Sequence, residues 1–363
     1  MNPNLIHLLA CPYCQGELDL HVQEGSPESV VLGSFQCRDC AKVYEIKEDI
    51  PFFSPVIQHS GVKNQQDTYS TWWDAYHDEH SIVNPETRDF FYNSLRMKAD
   101  EMEGRVVLDA GCGNGRFSFV VSHYQPKLLV SFDISSGVLH ARKAITKHNP
   151  GASVAYVQGD VTRPPFKKGV FDLAFSWGVI HHTPDTQKTF STVASLVREG
   201  GRLGIYVYEF HPYYRFDRQW LSFAAYLRSL FLIKPLRFLC SRLSAKTVHR
   251  IFIPIYHVER LLNLGIMGCH GYPEDKWNRD RYFRVVIDRF KTRYASEHEL
   301  EEVMGWFWGE GFNELCVGLQ PRVSLSGTKT GSAESLTLTI QKKLETDESS
   351  ARYFVREAIR KVS

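Results

Sequence analysis

The sequence predicts an α/β fold in which a parallel sheet carries helices on both faces, with a small cysteine-rich module before it and a helical insertion within it. Three observations predict this. Apolar runs of strand length recur at helix-length intervals between residues 105 and 208, the first of them enters a glycine-rich turn, and two Cys-x-x-Cys pairs stand near the start. The 363 residues exceed one ordinary domain, 43 % apolar content is enough for a core, and a formal net charge of +2 gives no global pull toward polyanions. No apolar run reaches the roughly 18 residues of a membrane span. The opening Met1-Asn2-Pro3-Asn4-Leu5 lacks the basic start of a secretory signal. A cytoplasmic protein with reduced thiols is therefore expected.

The first element is residues 1–55. Cys11-Pro12-Tyr13-Cys14 and Cys37-Arg38-Asp39-Cys40 are two knuckles separated by 22 residues. Four thiolates at this spacing can close a tetrahedron on Zn2+ and leave no open coordination position, so the metal would be structural. A redox pair is disfavoured because there are two pairs and no βαβ pattern around either, and a metal-free disulfide module is the alternative. With about 55 residues and a sparse core, the module is expected to need its metal to fold. Residues 56–104 follow as a connector with N-terminal helices. Its Trp72 and Trp73 fit either buried helix aromatics or a segment folded over a ligand.

The core begins at residue 105. Val106 to Ala110 reads as a buried strand, and Asp109 precedes a turn with glycines at 111, 113 and 115. Side chains there would keep the backbone away from a ligand and penalise positive φ angles. A dinucleotide loop would place its third glycine at position 116, which is arginine, and Asp109 would repel pyrophosphate while suiting a cationic ligand. On its own the loop fits any glycine-rich turn of an α/β protein. Further strands follow at Leu128–Asp133, Val154–Val161, Phe171–Ser176 and Gly200–Tyr208, each a helix-length stretch from the next. The acids Asp133 and Asp160 stand at strand ends, where such sheets bind ligands.

Taken in order, these motifs from Arg105 to Tyr208 resemble the type 11 branch of class I S-adenosylmethionine (SAM) dependent methyltransferases, which have a Rossmann-like sheet. The resemblance implies a SAM pocket formed by Asp109, Gly111, Cys112, Gly113 and Gly115, by Asp133 and Ile134 at the ribose, by Asp160 and Val161 at the adenine, and by Ser176. It also places His181 and His182, after the fourth strand, beside the transferred methyl. An imidazole there could remove a proton, with His182 favoured, or could simply satisfy backbone groups. The N-terminal module, framed by Leu8 to Pro12, Tyr44 and Ile50 to Phe53, is similar to the small zinc-ribbon subunits that activate some RNA and protein methyltransferases.

After the fifth strand, residues 209–293 interrupt the fold. Trp220, Phe223, Ala224, Leu227, Leu230 and Phe231 recur at helical spacing, and Ile251, Ile255, Val258, Leu261 and Leu262 form a second apolar stripe. Pro235 and Pro254 should break the pattern. The segment is read as a helical cap that determines specificity. Between Pro212 and Leu262 stand nine Lys or Arg against two acids, a face for RNA phosphates, anionic lipid heads, an acidic substrate or solvent. The core resumes over residues 294–343. Ser296 and Glu299 are expected to form a capping box for a helix ended by Gly311, with the last strands at Phe312–Gln320 and Ser335–Gln341. Residues 344–363 read as an amphipathic helical tail. Tyr208, Glu209, Tyr294 and His298 are weaker candidates for substrate contact.

SAM brings an activated methyl group, so the protein needs mainly to align the acceptor, exclude water and take up a proton. Ser176-Trp177-Gly178-Val179 stands where nucleobase amino-methyltransferases carry Asn or Asp followed by Pro-Pro and an aromatic residue, which disfavours that amine chemistry. Cys240, Cys269 and Cys316 have no context of a pyrimidine nucleophile. The expectation is methyl transfer to a small or medium metabolite, lipid-like or a sugar. An RNA substrate is the alternative, supported by the ribbon and the basic cap. A non-catalytic SAM-binding scaffold is the competing class, disfavoured by intact acids and glycines. Only peripheral membrane contact is compatible with this reading.

Overall fold

Valine, isoleucine, leucine and phenylalanine dominate the runs that become strands, as expected for a sheet buried on both faces. The computed structural model describes residues 1–27, 29–53, 60–75, 82–209, 229–262, 279–319 and 323–331. It divides into two units, one of Met1–Gln58, Asp78–Phe210 and Ser296–Ser363, the other of His59–His77 and His211–Ala295.

The first unit opens with a 3₁₀ turn, Pro3–Leu8, capped by Asn2, whose Oδ1 accepts from the Asn4 amide. Four short strands follow: β1 (Leu18–Ser26), β2 (Ser29–Cys37), β3 (Val43–Lys47) and β4 (Ile50–Phe52). Then come α1 (Glu86–Leu95), β5 (Val106–Ala110), α2 (Arg116–Ser122), β6 (Leu128–Asp133), α3 (Gly137–His148) and β7 (Val154–Gln158). The remainder is β8 (Phe171–Trp177), α4 (Thr186–Leu196), β9 (Val197–Tyr206), α5 (Leu300–Gly309), β10 (Phe312–Val317) and β11 (Ser324–Lys329).

These strands form one 11-stranded sheet in the order β1-β2-β3-β4-β7-β6-β5-β8-β9-β11-β10. From β4 to β9 neighbours run parallel, and the pairs at both ends run antiparallel. The cysteine module is thus an extension of the central sheet. Phe52 pairs with Gln158, and the Phe53 amide donates to the Gln158 carbonyl at 2.8 Å. Its buried Leu5, Leu9, Val30, Phe35, Tyr44 and Phe53 belong to the same apolar cluster as Val130, Val157 and Leu203 of the central strands. The sparse independent core expected from sequence is therefore replaced by a shared one.

One further expectation is corrected. The connection between β7 and β8 contains no helix. Residues 159–170 cross as an irregular segment held by the module: Ala10 N donates to Pro165 O at 3.0 Å, Lys167 N donates to Leu8 O at 2.8 Å, and Phe166 packs edge-on against Phe132 and Phe171. A strand not expected from sequence, Ser324–Lys329, runs antiparallel to both β9 and β10. The expected strand at 335–341 and the helical tail at 349–362 lie outside the described residues, as do Trp220, Phe223, Ala224 and Leu227 of the first cap stripe.

The second unit holds the helices Ser60–Ala75, Lys234–Cys240, Ala245–Leu262 and Arg279–Val286. Trp72 and Trp73 lie half-buried in the first of these, stacked on each other at 5.5 Å. Pro235 sits in the first turn of its helix, where the missing N–H is harmless, but the long helix runs on through Pro254. The stripe read from sequence on that helix is largely its outer face. Val248, Phe252 and Tyr256 are buried, while Ile251, Val258, Leu262 and above all Leu261, 84 % exposed, are not. Phe231 is also exposed. Lys291, buried and held by Asn64 Oδ1 and Ser241 O, has its pKa lowered chiefly by burial.

Phe166 is fully buried at the seam between module and sheet. Phe166→Ala should destabilise the unit by about 3–5 kcal/mol, the usual range for a buried aromatic truncated to alanine. Calorimetry should record one cooperative transition moving down. Two separated transitions, with only one displaced, would show that module and sheet fold independently.

Candidate functional site

The carboxyl ends of β5, β6, β7 and β8 bring the predicted cofactor residues to one edge of the sheet. Gly111, Gly113 and Gly115 all have positive φ, 97°, 53° and 87°. The close approach that demands glycine is internal. A Cβ on Gly111 would stand 2.3 Å from Val179, and one on Gly115 would stand 2.5 Å from the Ala141 Cβ of α3. The turn is thereby pressed against the loop after β8 and against the next helix, which leaves its amides at the sheet edge.

Three acids stand at this edge of the sheet. Asp109 is buried on β5, its Oδ2 accepting from Ser118 Oγ at 2.7 Å, and Ser118 accepts in turn from Ser131 Oγ at 2.8 Å. Burial, reinforced by the nearby Asp133 charge, pushes the Asp109 carboxyl up to about 7. Asp133, also raised by burial, accepts from Gly113 N at 2.8 Å and from the amide and hydroxyl of Ser135. Asp160 is buried at the end of the next strand and accepts from Thr162 N at 2.8 Å. Neither Asp109 nor Asp133 has an ion-pair partner among the described residues. Buried carboxylates held without a cation fit a cationic ligand, and the ammonium of SAM is one.

The remaining predicted residues are more structural in their contacts. Cys112 is buried, its thiol raised well above the usual range by burial, and Val161 is buried after β7. The Ile134 carbonyl accepts from Gln158 Nε2 at 3.0 Å. The fully buried Ser176 donates its hydroxyl to the Ala110 carbonyl at 2.7 Å and so ties β8 to the end of β5.

His181 and His182 lie in a short 3₁₀ turn directly after β8. Their rings are 4.2 Å apart, and His181 lies 3.9 Å from the Tyr208 ring. His181 is 0 % exposed and His182 is 7 % exposed, so His182 is the more accessible of the two. The turn is braced by residues that sequence analysis assigned differently. Ser296 does not cap a helix: α5 begins after Glu299 without a side-chain cap. Its amide instead donates to His181 O at 3.0 Å, and its Oγ lies 2.7 Å from Thr186 Oγ1 and 2.8 Å from His298 Nε2. His298 Nδ1 lies 3.0 Å from Glu302. The i, i+4 spacing of His298 and Glu302 was the available signal for this chain of contacts. Gly311, at φ 77°, does lie just past the end of α5.

In the N-terminal module the four sulfur atoms of Cys11, Cys14, Cys37 and Cys40 lie within 4.8 Å of one another. This is a tetrahedral zinc donor set, and the buried Tyr44 hydroxyl, 3.1 Å from Cys11 Sγ, can donate to a ligating thiolate.

Comparison with known proteins agrees with this geometry. Residues 108–205 match the family model described as a methyltransferase domain, and residues 2–49 match that of Trm112p-like proteins. The chain joins a SAM-dependent methyltransferase domain to a Trm112-like zinc module. Among relatives of this methyltransferase domain, the tRNA U34 carboxymethyltransferase of Campylobacter curvus is 30 % identical over 34 % of this chain and 41 % of its own length. The demethylmenaquinone methyltransferase of Lactococcus lactis is 23 % identical over 38 % of this chain and 56 % of its own. A solved complex between the Haloferax volcanii Trm112 methyltransferase activator and a methyltransferase shares 14 % identity, with a TM-score of 0.40 over 72 % of this chain and 98 % of that one. The chain thus spans about half the length of the two sequence relatives.

Two predictions follow from the acids and the cysteines. In the unliganded protein Asp109 holds its proton up to about 7, well above an unfolded aspartate, so its stabilising contribution is lost as pH rises from about 4 through 7. A cationic cofactor favours the ionised form, so SAM affinity should rise over the upper part of that window. Asp109→Asn should flatten this dependence, weaken SAM roughly 10- to 100-fold and leave the unliganded protein at least as stable, all readable by calorimetry and thermal melts. Unchanged SAM affinity would remove Asp109 from the site. Metal analysis should find one zinc per chain, lost in Cys37→Ser together with a fall of roughly 10 °C or more in the unfolding midpoint.

Proposed function

We propose that this protein is a SAM-dependent methyltransferase acting on RNA of the tRNA class. The observation that carries the reading is a set of four relatives named tRNA U34 carboxymethyltransferase, 28–30 % identical over 112–122 residues. The Trm112-like module built into the catalytic sheet is consistent with it. The metabolite acceptor first expected from sequence has the weaker support of the demethylmenaquinone relative. Among the described residues no helix is long and apolar enough to cross a membrane.

In this reading Asp109 and the turn from Gly111 to Gly115 hold the amino-acid end of the cofactor, Asp133 holds its ribose hydroxyls, and Asp160 with Val161 holds its adenine. The cofactor supplies an activated methyl group. His182 is the general base, taking the proton released by the acceptor at a ring nitrogen, because it is the less enclosed imidazole of the pair. His181, packed against Tyr208 and tethered through its carbonyl to Ser296, positions the turn. The Ser296–His298–Glu302 chain fixes that tether.

Incubation with methyl-labelled SAM, unmodified tRNA and a fractionated cell extract tests this reading. Label should enter acid-insoluble, ribonuclease-sensitive material, and His182→Ala should lower kcat by about 10²–10⁴-fold with SAM affinity retained. Label confined to organic-soluble or small-molecule fractions would assign the enzyme to metabolites instead.

A further inference from the structure

The first unit carries an open groove of about 460 Å³ between the zinc module and α4. One wall is the zinc knuckle, through Pro12 and Gln15; the floor is the helix-less crossover, through Arg163 and Lys168; the other wall is α4, through Lys188 and Thr192. Arg163, Lys168 and Lys188 are all exposed, and among the described residues none of them joins an ion pair. Four arginines of the same unit are ion-paired: Arg38 to Glu17, Arg142 to Glu48, Arg198 to Asp172 and Arg202 to Glu101. The groove contains a single acid, Glu310.

Next to Pro12 of the groove stands an exposed aromatic. Tyr13, between Pro12 and Cys14 in the knuckle, is 48 % exposed, and Lys42 Nζ lies 4.4 Å from its ring centroid. A line of uncommitted cations beside an exposed aromatic is the chemistry that binds single-stranded nucleic acid, with phosphates along the groove and a base on the ring. The groove is also tied to the active edge. Arg163 is three residues beyond Asp160, whose carbonyl accepts the Arg163 amide at 3.0 Å. Lys188 lies in the first turn of α4, its amide capped by Asp185, just after the His181–His182 turn.

We propose that this groove is the track for a single-stranded segment of the RNA substrate, with Arg163, Lys168 and Lys188 on successive phosphates and Tyr13 stacking a base. The proposal rests on the RNA reading above and adds a role for the zinc module: it forms one wall of the track.

Fluorescence anisotropy on the full zinc-loaded chain tests it, with a labelled 15-nucleotide oligouridylate and labelled unmodified tRNA as probes over a salt series. Wild type should bind both with a steep dependence on salt. The triple variant Arg163→Ala/Lys168→Ala/Lys188→Ala should bind at least 10-fold more weakly near 0.1 M salt. Its log–log salt slope should be shallower by about two, from roughly 0.7 per phosphate released on three sites. Tyr13→Ala should weaken binding about 5-fold or more with the slope unchanged. SAM affinity and zinc content, measured on each variant, should match wild type and so exclude unfolding. Lys127→Ala/Lys143→Ala, equal in kind but outside the groove, should stay within about 2-fold of wild type. If wild type binds RNA and the triple variant keeps its affinity and slope, the track is overturned while the RNA reading stands. If wild type binds neither probe, the RNA reading falls and the track with it.

Discussion

A strand at the edge of a parallel sheet presents unpaired amides and carbonyls that must be covered, and here that strand is β7. The zinc module covers its carboxyl end. Phe52 and Phe53 pair with Gln158, and the module's β1 to β4 carry the hydrogen-bonding ladder outward. The same module pins residues 159–170 through Leu8, Ala10 and the packing around Phe166. Since Asp160 and Val161 begin that segment, the adenine end of the proposed cofactor site would depend on a contact whose other half is the cysteine ribbon. A parallel crossover normally needs a dozen or more residues and usually a helix. This one does without the helix because another part of the chain satisfies its backbone.

The cofactor edge carries the opposite kind of tension. Burial raises the proton affinity of both Asp109 and Asp133, the Asp133 charge raises that of Asp109 further, and serines and amides rather than cations orient them. Such an arrangement costs stability in the empty protein and is relieved by a cationic ligand, a local conflict of the sort expected at functional sites. The glycine turn meets it with fixed geometry. Its positive φ angles and its contacts with Val179 and Ala141 leave little room for the amides to move.

Much of this was legible in the sequence. Val106–Ala110, Leu128–Asp133 and the turn from Asp109 to Gly115 stand where the apolar runs and glycines put them, because buried parallel strands and positive φ leave few residue choices. The four cysteines were equally plain, since thiolate coordination fixes their spacing. Other features depended on tertiary partners. The helix Ala245–Leu262 offers two apolar stripes, and only packing chose the one through Val248, Phe252 and Tyr256. The strand Ser324-Leu-Ser-Gly-Thr-Lys has little β-propensity. Its small residues are required by the tight fit, where a Cβ on Gly327 would stand 2.6 Å from Leu315. Ser296 carried a helix-capping pattern and serves another bond, because His181 and His298 compete successfully for it.

The joining of ribbon and domain in one polypeptide changes the thermodynamics of the seam at β7. Between separate chains that contact would be governed by mass action, dissociating on dilution and exposing an apolar edge whenever one partner ran short. Within one chain the local concentration of the ribbon is set by the tether, of the order of millimolar for a short linker, whatever the abundance of the protein. The seam can therefore be as small as a single strand pairing and a few aromatic contacts and still remain closed. The quantity that controls whether the edge is covered becomes the supply of metal, and expression level no longer enters.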